Sequence, residues 1–257
     1  MWVFGETEIT YISTIDDDEA ESRLDVFFSF DVPAVFVSKA QSVPAFLIEA
    51  ATRHGVPVLR THRTTKELYQ LIKPFLERAL APSTALHGSL ASVYGVGLLF
   101  VGDSGVGKSE CVLDLVERGH RLVADDVVLV TREGNDVIMG RGHELQGHHM
   151  EIRGIGIIDV KALFGVRAIR RQKRIEVVVN LEIWSQDREY SRTGLEDDFQ
   201  DILGVRTPRV TVPLNPGKNV TVIAEVVAMN HLLKYSGVNS AADFDKKVRD
   251  YLEQDYE

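Results

Sequence analysis

Cysteine is almost absent from this sequence. Its 257 residues include only Cys111, so no disulfide can form within the chain, and a reducing compartment is its natural environment. Also missing is an apolar run of the roughly 20 residues that a membrane helix needs. The first residues have neither the basic start nor the apolar core of a signal peptide. We therefore expect a cytoplasmic protein with no membrane partner.

A basic excess is missing as well. The chain has 38 acidic residues against 29 lysines and arginines, which gives a formal net charge of −9 at pH 7. Nucleic-acid backbones attract clustered positive charge, so this balance argues against nucleic acid as a partner. A solvated face or a contact with an acidic protein explains the one basic cluster more simply. Its members are Arg167, Arg170, Arg171, Lys173 and Arg174.

The rest of the composition is that of a globular protein, with 44% hydrophobic and 26% charged residues. The length favours two compact units. The segment Ala81-Pro82-Ser83-Thr84 is a candidate linker, so we expect one domain at residues 1–80 and another at 81–257.

Strand-like and helix-like segments alternate in residues 1–80, which predicts a small α/β unit with a parallel sheet. The predicted strands are 8–12, 35–37 and 56–59, and the predicted helices are 16–24, 44–54 and 65–80. From Leu86 onward, glycines become frequent and apolar segments follow one another closely. Strands are expected at 95–101, 123–130, 175–183 and 220–227, and a terminal helix at 241–254.

The strongest motif matches the G-x-x-x-x-G-K-[ST] phosphate-binding loop. Its residues are Gly102, Asp103, Ser104, Gly105, Val106, Gly107, Lys108 and Ser109. The apolar segment 98–101 predicts the strand that must precede such a loop, and 109–117 predicts the helix that must follow it. A chance glycine turn before a helix is the alternative, and the complete strand, loop and helix argue against it.

The residue types of this loop suit phosphate chemistry. Glycines let backbone N–H groups converge on phosphate oxygens with no Cβ in the way. The helix N-terminus adds partial positive charge. Lys108 is then expected to reach the outer phosphates, and the Ser109 hydroxyl to join the shell of a Mg²⁺ ion. The loop therefore predicts a nucleoside triphosphate site.

Two acidic residues interrupt an apolar segment after the loop. Asp125 and Asp126 separate Leu122-Val123-Ala124 from the apolar residues that follow, and a carboxylate buried without a partner is costly. Adjacent side chains on a strand point to opposite faces, so only one of the pair is expected to face the phosphates. That one would act as a base for a hydroxyl nucleophile or as a metal ligand. A solvated bend between two strands is the alternative.

A second unusual segment, residues 150–159, reads Met-Glu-Ile-Arg-Gly-Ile-Gly-Ile-Ile-Asp. Glycines inside such an apolar run suggest a bulge or the close approach of another backbone. Glu151 offers a hard oxygen ligand to a metal, and a buried structural strand explains the pattern equally well. Zinc is not expected at His143 and His148, because their spacing is one residue longer than in the zinc-protease helix motif.

Three segments together resemble the HPr kinase/phosphorylase family: the loop at 102–109, Gly-His-Arg-Leu-Val-Ala-Asp-Asp at 119–126, and Glu-Ile-Arg-Gly-Ile-Gly-Ile-Ile-Asp-Val at 151–160. The resemblance covers most of the chain. It implies an α/β fold whose P-loop catalytic domain is related to phosphoenolpyruvate carboxykinase. A small α/β N-terminal domain, which looks shortened here, precedes it.

The same resemblance implies the activity. Family members are homohexamers that use ATP or pyrophosphate, with Mg²⁺, to phosphorylate a seryl side chain of the phosphocarrier protein HPr. With inorganic phosphate they remove that phosphate and release pyrophosphate.

The family's functional residues carry over by position. The resemblance implies catalytic roles for His87, Lys108, Asp126 and Arg192, with Asp126 taking the serine proton and returning it in the reverse direction. It implies that Ser109 and Glu151 bind Mg²⁺. The loop tied to dephosphorylation corresponds to Pro213, Leu214, Asn215, Pro216, Gly217 and Lys218.

The sequence also departs from the family pattern. Family members usually carry residues before the position of Met1, and an aspartate more often precedes the residue that matches Arg192. Asn215 and Lys218 stand where arginines are common, which bears on the efficiency of phosphorolysis. Two other functions stay open. One is a P-loop kinase for another protein or a small hydroxyl substrate, and the other is a non-catalytic nucleotide sensor, which would not need Asp126.

Overall fold

The computed structural model describes residues 2–188, 190, 197–215 and 217–254. The chain forms two compact units, Met1–Leu80 and Ala81–Glu257, and each has its own sheet and core. Of the helices within the described ranges, none is long and apolar enough to cross a membrane.

The first unit is a three-stranded parallel sheet with helices between its strands. The sheet order is β1 (Trp2–Phe4), β2 (Val35–Val37) and β3 (Val58–Arg60). The helices are α1 (Glu6–Thr14), α2 (Asp17–Phe28), α3 (Ala45–Arg53) and α4 (Thr65–Ala79). The predicted parallel α/β unit is confirmed. The predicted strand 35–37 is present with the same bounds, and the strand predicted at 56–59 and all three predicted helices are present with shifted ends.

The prediction of a strand at 8–12 was wrong, because these residues belong to α1. Glu6 and Glu8 lie in its first turn, where carboxylates suit the positive helix end. Glu8 Oε2 also accepts a hydrogen bond from the backbone nitrogen of Gly5 at 2.8 Å, which satisfies a donor left free at the helix N-terminus. Ile9 is the one buried side chain of α1. The interactions at the helix N-terminus thus outweighed the short alternation of apolar and polar residues that predicted a strand.

The second unit contains twelve strands and four helices in the described residues. The strands are β4 (Ser83–His87), β5 (Ser89–Val93), β6 (Val96–Val101), β7 (Arg121–Ala124), β8 (Val127–Glu133), β9 (Val137–Arg141), β10 (His149–Ile152), β11 (Gly156–Asp159), β12 (Gln172–Arg174), β13 (Val177–Ile183), β14 (Asp198–Ile202) and β15 (Val205–Leu214). The α-helices are α5 (Lys108–Glu117), α6 (Val160–Phe164), α7 (Val220–Tyr235) and α8 (Ser240–Gln254), and a 3₁₀ turn covers Val166–Ala168. The predicted terminal helix is confirmed in α8.

These strands form two larger sheets and a hairpin. The six-stranded sheet has the order β14-β15-β13-β6-β5-β7, and its central strands β6, β13 and β15 run parallel. The four-stranded antiparallel sheet has the order β12-β9-β8-β4, and β10 pairs with β11. The carboxyl ends of the three parallel strands meet at one edge of the sheet, which is where α/β folds place their ligands.

The core of this unit lies on both faces of the six-stranded sheet. On β6, Leu98 and Phe100 belong to a cluster that contains residues of α5 and α7, while Leu99 belongs to a second cluster shared with the four-stranded sheet. All three side chains are fully buried. Such a strand, covered on both faces, reads as a continuous apolar run rather than an alternating one.

The predicted strand at 220–227 was wrong, because this segment opens helix α7. The Asn219 side chain accepts a hydrogen bond from the backbone nitrogen of Val222 at 3.1 Å and caps the helix. Ala224 and Ala228, four residues apart, are its buried contacts to the core. The β-branched residues of this segment favoured a strand, and the cap and the tertiary contacts overrode that preference.

Candidate active site

The loop between β6 and α5 has the backbone conformation that a phosphate-binding loop needs. Gly102, Gly105 and Gly107 have φ values of 138°, 79° and 99°. A Cβ at Gly102 would lie 2.1 Å from the carbonyl oxygen of Leu181 on the neighbouring strand, so only glycine fits there. Helix α5 begins at Lys108. Its N-terminus adds backbone donors and partial positive charge to the loop.

Lys108 is folded back into this loop. Its side chain is buried, and its Nζ donates to the carbonyl oxygens of Gly102 and Asp103, each at 2.9 Å. These bonds satisfy an ammonium group that burial would otherwise penalise. A phosphate in the loop would compete for the same protons with a stronger, charge-assisted bond.

Two chain crossings form the opposite wall of the site. His87 and Gly88 carry the chain from the four-stranded sheet into the six-stranded sheet, and Asp125 and Asp126 carry it back. The crossings are joined by a hydrogen bond of 2.9 Å from the backbone nitrogen of Gly88 to the carbonyl oxygen of Asp126. A Cβ at Gly88 would lie 2.4 Å from the carbonyl oxygen of Phe100, so this close approach requires glycine.

Asp125 is the buried member of the acidic pair. Only 4% of the residue is exposed, and its carboxylate accepts hydrogen bonds from Ser89 Oγ at 2.5 Å and from Ser109 Oγ at 2.9 and 3.0 Å. Burial raises the pKa of the Asp125 carboxyl above its usual value, and the two hydroxyl groups oppose that rise. The carboxylate thus orients the hydroxyl of the last loop residue.

Asp126 is the exposed member. Its side chain is 60% exposed, its φ is 62°, and its Oδ1 lies 3.1 Å from His87 Nδ1. Asp125 and Asp126 both line the cavity beside the loop, so the expectation that only one would face it was wrong. Strand alternation does not apply, because the pair lies in the crossing between β7 and β8 and Asp126 has a left-handed backbone conformation.

The hairpin of β10 and β11 closes the site from a third side. It contributes Glu151 and Arg153 to a cavity of about 150 Å³ in front of the loop. Both side chains are exposed. The twelve lining residues come from the loop, the two crossings, α5 and this hairpin. They are His87, Ser89, Ser104, Gly105, Gly107, Lys108, Ser109, Glu110, Asp125, Asp126, Glu151 and Arg153.

Eight of the sequence-predicted site residues therefore meet in one cavity, namely His87, Ser104, Gly105, Gly107, Lys108, Ser109, Asp126 and Glu151. Arg192 and Pro216 lie outside the described residues. Of the other residues in the predicted dephosphorylation loop, Pro213 and Leu214 end β15, and Asn215, Gly217 and Lys218 follow it. They lie at the same sheet edge as the phosphate loop, as the parallel register of β6, β13 and β15 requires. They do not line the cavity, and Lys218 Nζ donates to the carbonyl oxygen of Pro213 at 2.8 Å.

Sequence reasoning missed three side chains of the cavity, namely Ser89, Glu110 and Arg153, and it named Asp125 only as the alternative to Asp126. Ser89 carries no signal of its own, since a serine in an apolar strand is common. Arg153 lies two residues after Glu151, and side chains with that spacing on an extended segment share a face. That spacing was a usable signal.

The donor set fits Mg²⁺. The Ser109 hydroxyl and the carboxylates of Asp125 and Glu151 are hard oxygen ligands beside the phosphate loop. In the described ranges no group of three or more His, Cys, Asp or Glu residues forms a ready metal site. Mg²⁺ binds through one or two carboxylates, substrate phosphates and water rather than in an all-protein cage.

The cavity combines a P-loop with an exposed carboxylate that lies next to an imidazole. This combination is typical of the active site of a nucleotide-dependent phosphotransferase. The comparisons with known proteins narrow this class. The model of the HPr serine kinase C-terminal domain matches residues 78–248, and that of the HPr serine kinase N terminus matches residues 1–76. The chain therefore belongs to the HPr serine kinase family, and its predicted α/β fold with an N-terminal domain is confirmed.

Relatives match over nearly the whole chain. The HPr kinase/phosphorylase of Chloroherpeton thalassium is 48% identical over 97% of this chain and 74% of its own length. That of Bacillus subtilis is 45% identical over 98% of this chain and 81% of its own length. The structure of the Hpr(Ser) kinase/phosphatase from Coxiella burnetii aligns with a TM-score of 0.56 and 31% identity, over 63% of this chain and 98% of that chain.

Proposed function

We propose that this chain is an enzyme that phosphorylates a seryl residue of HPr with ATP or pyrophosphate and Mg²⁺, and that reverses the reaction with inorganic phosphate to yield pyrophosphate. The observation that carries the proposal is the meeting of an exposed Asp126 carboxylate, a neighbouring His87 and a P-loop in one cavity. Relatives at 45–48% identity that are named HPr kinase/phosphorylase support the same assignment.

Asp126 is the proton-transfer group of the proposal. A serine hydroxyl is a weak nucleophile and needs a positioned base, and the reverse reaction needs the same group as an acid. Asp126 is exposed enough to meet a hydroxyl of another protein, and His87 lies 3.1 Å from its Oδ1. The imidazole and the carboxylate are within hydrogen-bonding distance of each other, and both line the cavity in front of the phosphate loop. The pair is suited to accepting a proton and returning it.

The phosphate side of the cavity holds the donor. Lys108 and the backbone N–H groups of the loop bind the phosphoryl groups, and Mg²⁺ supplies charge neutralisation when it is bound through Ser109 and Glu151. Asp125 keeps the Ser109 hydroxyl oriented through two short contacts. We assign Arg192 to charge stabilisation during transfer, and residues 213–218 to the phosphate-driven direction, on the family pattern alone.

A protein substrate fits the surroundings of the cavity better than a small molecule does. The hairpin that carries Glu151 also carries Ile155 and Ile157, whose side chains are 74% and 76% exposed. Exposed isoleucines beside a catalytic cavity suit contact with a macromolecule. A non-catalytic nucleotide sensor would have no use for the contact between His87 and Asp126, so we rank it below a kinase.

The remaining parts of the proposal concern organisation. We assign residues 1–80 to an N-terminal domain and 81–257 to the catalytic domain. We place the protein in the cytoplasm, since its single cysteine is typical of proteins from a reducing compartment and its net charge is negative. We also propose a closed homohexamer formed through the catalytic domain. Sedimentation at micromolar concentration tests the assembly, and a monomer would overturn that part alone.

The test of the function is direct. The purified chain is incubated with ATP, Mg²⁺ and HPr, and the mass of HPr is measured. A gain of one phosphoryl group at a serine, absent without Mg²⁺ and reversed on adding inorganic phosphate with release of pyrophosphate, is the expected result. An unmodified HPr with an enzyme that still binds ATP would refute the HPr assignment.

A further inference from the structure

We infer that Arg153 binds phosphate oxygens directly, as the second cationic side chain of the phosphate loop beside Lys108. The inference rests on the proposed function and adds a ligand-binding residue to its site. It is carried by the position of the guanidinium group, by the charges that surround it and by the bonds that Lys108 already makes.

The guanidinium lies against the loop itself. An ideal Cβ built on Gly105 would be 2.5 Å from one terminal nitrogen of Arg153, 2.8 Å from the other and 2.9 Å from the central carbon. The outer end of the guanidinium group therefore lies where a side chain at Gly105 would be, next to the loop. Because backbone groups of such a loop surround the phosphates, a guanidinium at this distance is within reach of the same oxygens.

The cavity needs a second cation. Its described lining contains the carboxyl groups of Glu110, Asp125, Asp126 and Glu151, against the cationic groups of Lys108 and Arg153. A triphosphate or a pyrophosphate brings several further negative charges into this acidic surrounding. Mg²⁺ offsets part of that repulsion, and fixed positive side chains must offset more of it.

Arg153 is free to take this role. Lys108 donates to two backbone carbonyl groups, whereas Arg153 makes no side-chain hydrogen bond or ion pair with any residue in the described ranges. An exposed arginine has enough side-chain freedom to follow an entering anion. Its rigid fork of donors matches two phosphate oxygens at once, which an ammonium group cannot do.

The geometry also gives Gly105 a second reason to be glycine. Its φ of 79° already disfavours other residues, and any Cβ would push the guanidinium away from the loop. The absence of a side chain at Gly105 thus leaves room for the Arg153 guanidinium of the β10–β11 hairpin. The hairpin then supplies two groups from residues two apart, a metal-binding carboxylate at Glu151 and a phosphate-binding cation at Arg153.

Pyrophosphate binding tests the inference without turnover. Calorimetric titration of the full chain with Mg²⁺–pyrophosphate is compared for the wild type, Arg153→Gln and Arg153→Lys. Loss of a charge-assisted, two-point contact should raise the Kd roughly 10- to 100-fold in Arg153→Gln. Arg153→Lys should lie between that variant and the wild type, because it keeps the charge and loses the fork.

The matched control is Arg121→Gln. Arg121 is an exposed arginine of the same unit, lies at the start of β7 and does not line the cavity. Its removal changes the net charge equally and should leave the Kd unchanged. Thermal unfolding of each variant by circular dichroism checks that the fold is kept.

The possible outcomes separate the two claims. A wild type that does not bind pyrophosphate contradicts the proposed function. A wild type that binds it, together with a folded Arg153→Gln whose Kd is unchanged, overturns the role of Arg153 and leaves the proposed function intact. An equal loss of pyrophosphate affinity in Arg153→Gln and Arg121→Gln would show that the effect comes from the change in net charge alone, and it would also overturn the inference.

Discussion

Replacing Asp126 by asparagine is the sharpest test of the proposed chemistry. The change removes the ability to take a proton and keeps the shape of the side chain. It also suits the backbone, because Asp126 has a φ of 62° and asparagine is among the few residues that tolerate this conformation. The side chain is 60% exposed, so no buried contact is lost. We therefore expect a folded variant.

The size of the effect follows from the role of the group. A positioned general acid or base contributes about 10²- to 10⁴-fold to rate, which corresponds to roughly 2.7–5.4 kcal/mol of activation free energy. Asp126→Asn should lose that factor in both the ATP-driven and the phosphate-driven direction, because one carboxylate serves both. Nucleotide affinity should change little, since the contacts of Lys108 lie within the loop.

The assay compares kcat/KM in the two directions with the Kd for Mg²⁺–ATP measured by titration. The control is Asp136→Asn, which changes an exposed aspartate in the turn between β8 and β9, away from this cavity. Near-normal transfer by Asp126→Asn would refute the reasoning. A selective loss in one direction would show that separate groups handle the proton in the forward and reverse reactions.

Three further predictions use other parts of the site. Glu151→Gln should raise the Mg²⁺ concentration needed for half-maximal activity, since a charged oxygen ligand is lost, and an unchanged titration would make this residue structural. Ser89→Ala removes a hydrogen-bond donor to Asp125, and burial already raises the pKa of that carboxyl. Loss of the donor should raise this pKa further, so the acid limb of the pH–rate profile should move to higher pH. The control Ser92→Ala, on the same strand, should leave the profile in place. Asn215→Arg should raise phosphorolysis selectively, by roughly one to two orders of magnitude for one regained charge-assisted contact; an equal change in both directions would show that Asn215 does not set the bias.

The phosphate loop could be predicted from sequence because its structure is local. Glycine at Gly102 and Gly107, an apolar strand before them and a helix after them are all encoded within about 20 neighbouring residues, and each has one physical purpose. The predicted strand and helix are confirmed as β6 and α5. The lysine and serine that follow the glycines therefore lie where the motif puts them.

The orientation of the acidic pair could not be predicted in this way. Residues 123–130 read as one apolar strand with two acids in it, and strand alternation then sends Asp125 and Asp126 to opposite faces. In the structure the chain leaves one sheet at Ala124 and enters another at Val127. That exchange depends on pairing with β5 and β4, which lie earlier in the chain, at separations from 29 residues for Ser92 and Arg121 to 48 residues for Ser83 and Thr131.

Ser89 and Arg153 were missed for a related reason. Neither residue type is unusual for its segment, and their partners, Asp125 and the backbone of Gly105, become neighbours only after the sheets and the hairpin have formed. A contact between residues this far apart leaves no sequence pattern at Ser89, and at Arg153 the sequence signal is limited to its spacing of two residues from Glu151. The misplaced strands at 8–12 and 220–227 have a different cause, since there a helix cap outweighed short-range strand preference.

Asp126, the proposed proton-transfer group, is held in place by its backbone rather than by its side chain. Asp126 has few side-chain restraints, yet its main chain is fixed by the hydrogen bond from Gly88 and by pairing of the flanking strands with β4 and β5. Gly88 in turn fits only because it lacks a Cβ beside Phe100. A carboxylate that must first accept and later return a proton benefits from this arrangement, because its side chain can turn toward serine or phosphoserine while its position relative to the loop stays constant.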